Sequence, residues 1–248
     1  MEAGQDVAQS DDRMYDSRKS FGTLRGKCVS QDHEFWGLRR CMREPIPEIF
    51  HAAYLLDRAV GAHLAGDRSL ASALFRAADM PAVRAWTESL WGSKKNNPDQ
   101  QKYHRRRTVP GAPAFIDEGL RDQKKEPSAE EKKYLIEKYG RNCAFCGIPL
   151  VRKEIREALV KKYPDVVTWG KTAASAHAAL QCMWMQFDHV IPHSRGGDSS
   201  LDNFVVTCAG CNFGRGHYTL EEFGLIDPRT VPIVKTSWDG LERLLSTP

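Results

Sequence analysis

Phe187-Asp188-His189-Val190-Ile191-Pro192-His193-Ser194-Arg195-Gly196-Gly197 is the stretch on which the reading of this chain turns. His189 and His193 stand four apart, a spacing that on a helix would suggest a pair of zinc ligands. Pro192 between them and Gly196-Gly197 just after argue against a helix. The stretch reads instead as a short strand entering a glycine loop. Neighbouring side chains on a strand point to opposite faces, so Asp188 and His189 serve different sides. One can hold a metal while the other faces a substrate or the loop. Downstream, Ser200-Leu201-Asp202-Asn203 leads into Phe204-Val205-Val206, which reads as the second strand of a hairpin.

Two Cys-x-x-Cys pairs bracket this hairpin. Cys143-Ala144-Phe145-Cys146 precedes it and Cys208-Ala209-Gly210-Cys211 ends it. Two residues between cysteines let both thiolates turn onto one metal, with backbone amides facing the sulfurs. Two such knuckles make a closed tetrahedral site of four thiolates, which suits structural Zn²⁺. The gap between them is longer than in a compact zinc ribbon, so something folded lies inside it. A redox-active pair is the competing reading, but no thioredoxin-like strand–helix context accompanies either pair. The chain has seven cysteines. An odd number in a chain that reads as cytoplasmic argues against a complete disulfide framework. Cys28, Cys41 and Cys182 are expected to be small, partly buried residues.

The order Cys-x-x-Cys, Asp-His-x-x-Pro, Gly-Gly, Asn, Cys-x-x-Cys-Asn-x-x-Arg-Gly resembles the HNH endonucleases with a treble-clef, ββα-metal core. The zinc-bound restriction type is the branch it resembles most. The resemblance spans roughly residues 128 to 220 and nothing before them. It implies a nuclease that hydrolyses DNA phosphodiester bonds with Mg²⁺ or Mn²⁺, in restriction or phage defence. By this resemblance Asp188 binds the catalytic metal and His189 is the general base. Asn203 braces the loop that orients His189. Asn212 offers its amide oxygen to the metal, which makes an H-N-N variant, and Arg215 contacts a phosphate. His217 is the alternative third ligand and would shift the preference toward Zn²⁺, Ni²⁺ or Mn²⁺. Arg195 is a further candidate for DNA contact. Chemistry supports the roles: a hard carboxylate oxygen suits Mg²⁺, and imidazole suits removal of a water proton.

The rest of the chain adds a setting. Formal net charge is only +4, but Lys94, Lys95, Lys102, Arg105, Arg106 and Arg107 cluster against the single acid Asp99. A basic strap on a near-neutral body fits a polyanion. Residues 45–92 read as a small helical module. Ile49, Ala53, Leu56, Val60 and Leu64 share one helix face. Ser69 is expected to cap a second helix carrying Leu70, Leu74 and Ala78. Pro81 opens a third, with Val83, Trp86 and Leu90. Ser128-Ala129-Glu130-Glu131 is a capping box.

The expected class is α+β: a helical module plus a C-terminal ββα-metal HNH domain with a structural four-cysteine zinc site. The expected segments are a polar, partly disordered 1–44, the helical module 45–92, a basic linker 93–127, the nuclease domain 128–225 and a tail 226–248. Residues 152–185 form an insert with an aromatic cluster of Trp169 and Trp184. The start of the chain is acidic and has no apolar stretch of a signal peptide. No run is long and apolar enough for a membrane span. DNA is the expected partner, with a protein partner conceivable through the helical module. A nuclease subunit active only within a larger complex and a non-catalytic zinc module that binds nucleic acid are the competing readings.

Overall fold

Pro47 sets the first helix, α1 (Pro47–Leu64), by supplying a preset φ where no amide donor is needed. Its buried face holds Ile49, Ala53, Leu56 and Val60, as the spacing predicts, while Leu64 at the end is partly exposed. This computed structural model describes residues 37–92 and 97–245. Cys28, Lys94, Lys95 and most of the 1–44 segment lie outside them.

The second helix, α2 (Arg68–Ala78), is capped by Asp67 and not by Ser69. The Asp67 carboxylate accepts the Leu70 amide at 2.9 Å. Its inner face is Ala71, Phe75 and Ala78, and Leu70 is exposed. The helix is turned so that its aromatic residue reaches the interior, where Phe75 meets Tyr163 with ring centroids 4.8 Å apart. Helix α3 (Pro81–Leu90) buries Val83, Trp86 and Leu90 as expected. Trp86 Nε1 donates to the Glu44 carbonyl at 2.8 Å, which satisfies the one polar atom of a fully buried ring.

After a short helix α4 (Pro98–Tyr103), the chain runs extended to α5 (Ala129–Tyr139). Ser128 and Glu131 form the predicted capping box, and Gly140 ends α5 with φ 77, a conformation that favours glycine. The insert carries α6 (Lys153–Lys162) and α7 (Ala178–Cys182). Trp169 and Trp184 meet edge-to-face at 5.4 Å. The buried Arg156 guanidinium lies 3.8 Å from the Trp169 ring centre and 4.9 Å from that of Trp184.

Strands β1 (Met185–His189) and β2 (Phe204–Cys208) form an antiparallel pair, from Met185 opposite Cys208 to His189 opposite Phe204. Helices α8 (Ala209–Arg215) and α9 (Leu220–Phe223) follow. Mixed helices and one small two-stranded sheet make this an α+β arrangement among the described residues.

The segments share one interior. Helix α3 lies on α7 and α8, and α8 makes room with glycine. A Cβ on Gly210 would sit 3.2 Å from the Trp86 ring, and one on Gly214 would sit 3.1 Å from the Leu90 carbonyl. The residues expected as a tail are also packed. Leu241 and Leu244 are buried, Trp238 Nε1 donates to the Leu150 carbonyl at 2.8 Å, and Glu242 receives Arg152 through two bonds of 2.6 Å. The described residues accordingly form one compact unit.

Candidate metal centre and catalytic cleft

Two turns bring the four cysteines of the knuckles together. The sulfurs of Cys143, Cys146, Cys208 and Cys211 all lie within 4.8 Å of one another, and all four residues are buried. Cys146 and Cys208 are 3.7 Å apart, and the Cys211 amide points at the Cys208 sulfur at 3.4 Å. A tetrahedral zinc with ~2.3 Å bonds needs sulfurs about 3.8 Å apart. The cluster matches that spacing, and amide-to-sulfur bonds are the support that thiolates need. Burial resists ionisation of Cys143, yet the neighbouring thiols outweigh it and hold that thiol well below its ordinary value. Burial pushes Cys146 well up, and the neighbouring thiols do the same to Cys211. Four buried thiols this close cannot all ionise without a cation between them. The arrangement is compatible with structural zinc.

The glycine loop between the strands is closed by one side chain. Asn203 Oδ1 accepts the Ile191 amide at 2.8 Å, and its Nδ2 donates to the carbonyls of Ile191 (3.1 Å) and Asp198 (2.8 Å). Gly197 is required by close approach, since a Cβ there would collide with the Ile191 carbonyl oxygen. This is the bracing arrangement expected for Asn203.

Asp188 and His189 sit at the end of β1 and line a cleft of about 590 Å³ together with Asn212 and His217. Asp188 is buried, and Arg215 Nη2 lies 2.8 Å from its Oδ2. Arg215 Nε, also buried, has no hydrogen-bond partner among the described residues. Burial raises the Asp188 carboxyl above its ordinary value, and Arg215 only partly opposes this. Burial, then the charges of His193 and Arg215, draw His189 down to about 4. His189 is therefore neutral at physiological pH. A carboxylate, an amide and an imidazole thus line one cleft.

Two residues expected to contact DNA are buried in the structure. Arg215 is 1% exposed. Its guanidinium donates to the carbonyls of Tyr218 (2.9 Å), Val190 (3.2 Å) and His189 and faces Asp188. It is the internal counter-charge of the β1 end, with most of its donors turned to backbone carbonyls and to Asp188. Arg195 is likewise buried. It donates to Glu222 at 3.1 Å, to His217 O at 3.2 Å and to the Pro113 carbonyl, and it lies 3.8 Å over the Phe115 ring. Its donors are consumed in holding loop to loop.

The basic strap is pinned where a free linker was expected. The Arg107 amide donates to Glu222 O at 2.9 Å and its Nε to Glu221 O at 2.6 Å. Arg106 lies 3.8 Å over the Tyr218 ring, at the rim of the cleft. Lys102, Arg105 and Arg106 remain exposed to solvent. Beyond the strap the same segment wraps the loop between β1 and β2. Ile116 N donates to Ser194 O at 2.9 Å, and His193 Nε2 meets Asp122 O at 2.7 Å. The Ser199 amide donates to Asp122 Oδ2 at 3.0 Å, and the Ser199 hydroxyl donates to Lys124 O. Sequence reasoning missed Ser199, Asp122 and the Lys124 carbonyl. The partners stand more than seventy residues apart, and no local spacing links them.

Residues 182–225 match the family model described as HNH endonuclease. That window holds β1, the braced loop, β2, α8 and the second knuckle, and so every residue of the Asp188, His189, Asn203, Asn212 and His217 group. The first knuckle lies outside it. No curated protein and no solved structure matches the chain. Among the described residues no helix is long and apolar enough to cross a membrane.

Proposed function

We propose that this protein is a divalent-metal-dependent HNH endonuclease that hydrolyses DNA phosphodiester bonds, with a role in restriction or phage defence. The observation that carries this reading is the meeting of Asp188, His189, Asn212 and His217 on one cleft behind a loop braced by Asn203. Mg²⁺ or Mn²⁺ would be held by Asp188 and Asn212, with His217 as the alternative ligand. Such an ion supplies Lewis-acid relief of charge on the phosphoryl group and on the leaving oxygen. His189, neutral at working pH, takes the proton from the attacking water. Zinc at the four cysteines fixes the start of α8, and with it Asn212. The exposed cations Lys102, Arg105 and Arg106 hold phosphates beside the cleft, giving affinity without base information.

Incubation of the pure protein with supercoiled plasmid, with Mg²⁺, with Mn²⁺ and with chelator, tests the reading. Relaxed or linear product should form only with metal. His189→Ala should lower the rate by about 10² to 10⁴, with zinc content and DNA affinity retained. A folded, zinc-loaded wild type that binds DNA but leaves it intact with either metal would make this a binding module instead.

A further inference from the structure

The hydrogen bonds around His189 have a direction, and that direction decides where the imidazole carries its proton. His189 Nε2 lies 3.1 Å from Ser199 Oγ. The Ser199 hydroxyl also bonds the Lys124 carbonyl. A carbonyl can only accept, and so can the Asp122 carboxylate beside it, so the single hydroxyl proton of Ser199 is directed away from His189. Toward His189 the same oxygen can then only accept, so Nε2 must bear hydrogen. A neutral imidazole protonated at Nε2 keeps its lone pair at Nδ1. Nδ1 has no hydrogen-bond partner among the described residues, and the ring lines the cleft.

We propose that Ser199 is a positioning residue for the general base: anchored on the Lys124 carbonyl, it holds His189 in the Nε2-protonated tautomer and presents Nδ1 to the attacking water. The anchor itself is fixed. The Ser199 amide is held by Asp122 Oδ2, and the neighbouring His193 ring is held by Asp122 O. Residues 122–124, which read from sequence as linker, thereby belong to the support of the reacting centre. The assignment of a base role to His189 rests on the nuclease reading; the tautomer does not.

Nitrogen-15 spectra of histidine-labelled wild-type protein at neutral pH, without catalytic metal, read the tautomer directly. His189 should show a protonated Nε2 and an unprotonated Nδ1. In Ser199→Ala the other tautomer should become populated, and kcat on DNA should fall about 10- to 100-fold, as for other residues that orient a catalytic ligand, with KM unchanged. Ser199→Thr, which keeps the hydroxyl, should restore both the spectrum and most of the rate. A wild-type His189 protonated at Nδ1 would overturn the proposal, whether or not the alanine variant folds. So would Ser199→Ala with wild-type spectrum and rate. A wild type with the expected tautomer and no cleavage would remove the nuclease reading and leave the tautomer assignment standing.

Discussion

The cysteine cluster and the Asp188–His189 cleft meet on α8, and they are held by different means. Cys208 caps that helix and Cys211 lies in its first turn, while Asn212 and Arg215 follow toward the cleft. The cluster is a product of short-range geometry: each pair of thiols is set by one turn of backbone, and the four sulfurs converge to a spacing that fits a single zinc ion. The cleft is a product of long-range pairing. Asp188 is placed against Arg215, and His189 against Ser199, which in turn hangs on Lys124. A site made of turns tolerates change around it and fails when a ligand is lost. A site made of paired side chains fails when any distant partner is lost.

The largest effect should come from breaking the cluster. Cys208→Ser should lose the zinc and unfold the hairpin and α8, because structural zinc contributes about 10 to 16 kcal/mol to folding in small zinc modules. Metal analysis and circular dichroism check this, and a folded, active wild type without zinc would refute the four-cysteine assignment. On the cleft side, Arg215→Met leaves Asp188 buried without its counter-charge. The expected loss is ~3 to 5 kcal/mol, read from urea unfolding, with partial recovery in Arg215→Met/Asp188→Asn. A loss below ~0.5 kcal/mol, as for an ordinary surface arginine, would contradict the buried pair. Asn212→Ala and His217→Ala then compare the two candidate ligands within the cleft. If Asn212 holds the metal, its variant should lose at least ~10²-fold in cleavage rate and the His217 variant much less; the reverse ranking would assign the metal to Asp188 and His217.

The smallest effect sets the background against which both regions are measured. His177 is buried, its Nε2 is 2.9 Å from the Phe75 carbonyl, and burial lowers its pKa from 6.5. Below 6.5 the unfolded chain takes up this proton more readily than the folded one, so stability falls as pH drops from there toward the lowered value. His177→Gln should remove that part of the slope in melting temperature against pH. An unchanged slope would assign acid sensitivity to the thiolates and the cleft alone.

The same contrast explains what the sequence made legible. The knuckles, the hairpin ending at His189 and the bracing Asn203 were readable because their causes are local: x-x spacing, alternation and a glycine pair. The faces of α1 and α3 followed from helical periodicity. The burial of Arg215 and Arg195 was not legible, because an arginine beside glycine looks the same whether it faces water or a buried carboxylate. Only the folded positions of Asp188 and Glu222 distinguish the two. The contacts of the strap were hidden for the same reason. Prolines and cations describe a linker well, and nothing in residues 104–125 announces that Ser194 and Ser199 wait for their backbone groups. The cap of α2 fell two residues earlier than the expected Ser69, at Asp67, whose carboxylate takes the Leu70 amide.

Pairing across such distances also has a consequence in time. During synthesis, domains organise as their chain emerges. The Asp122 carboxylate and the Lys124 carbonyl are made before the Ser199 they hold, and Cys143 and Cys146 are made before their partners. None of these can act until residues 199–215 have left the ribosome, when Ser199, Cys208, Cys211 and Arg215 arrive close together. Asp188 and His189 thus have no counter-charge, no oriented proton and no closed knuckle beside them until one short stretch completes all three.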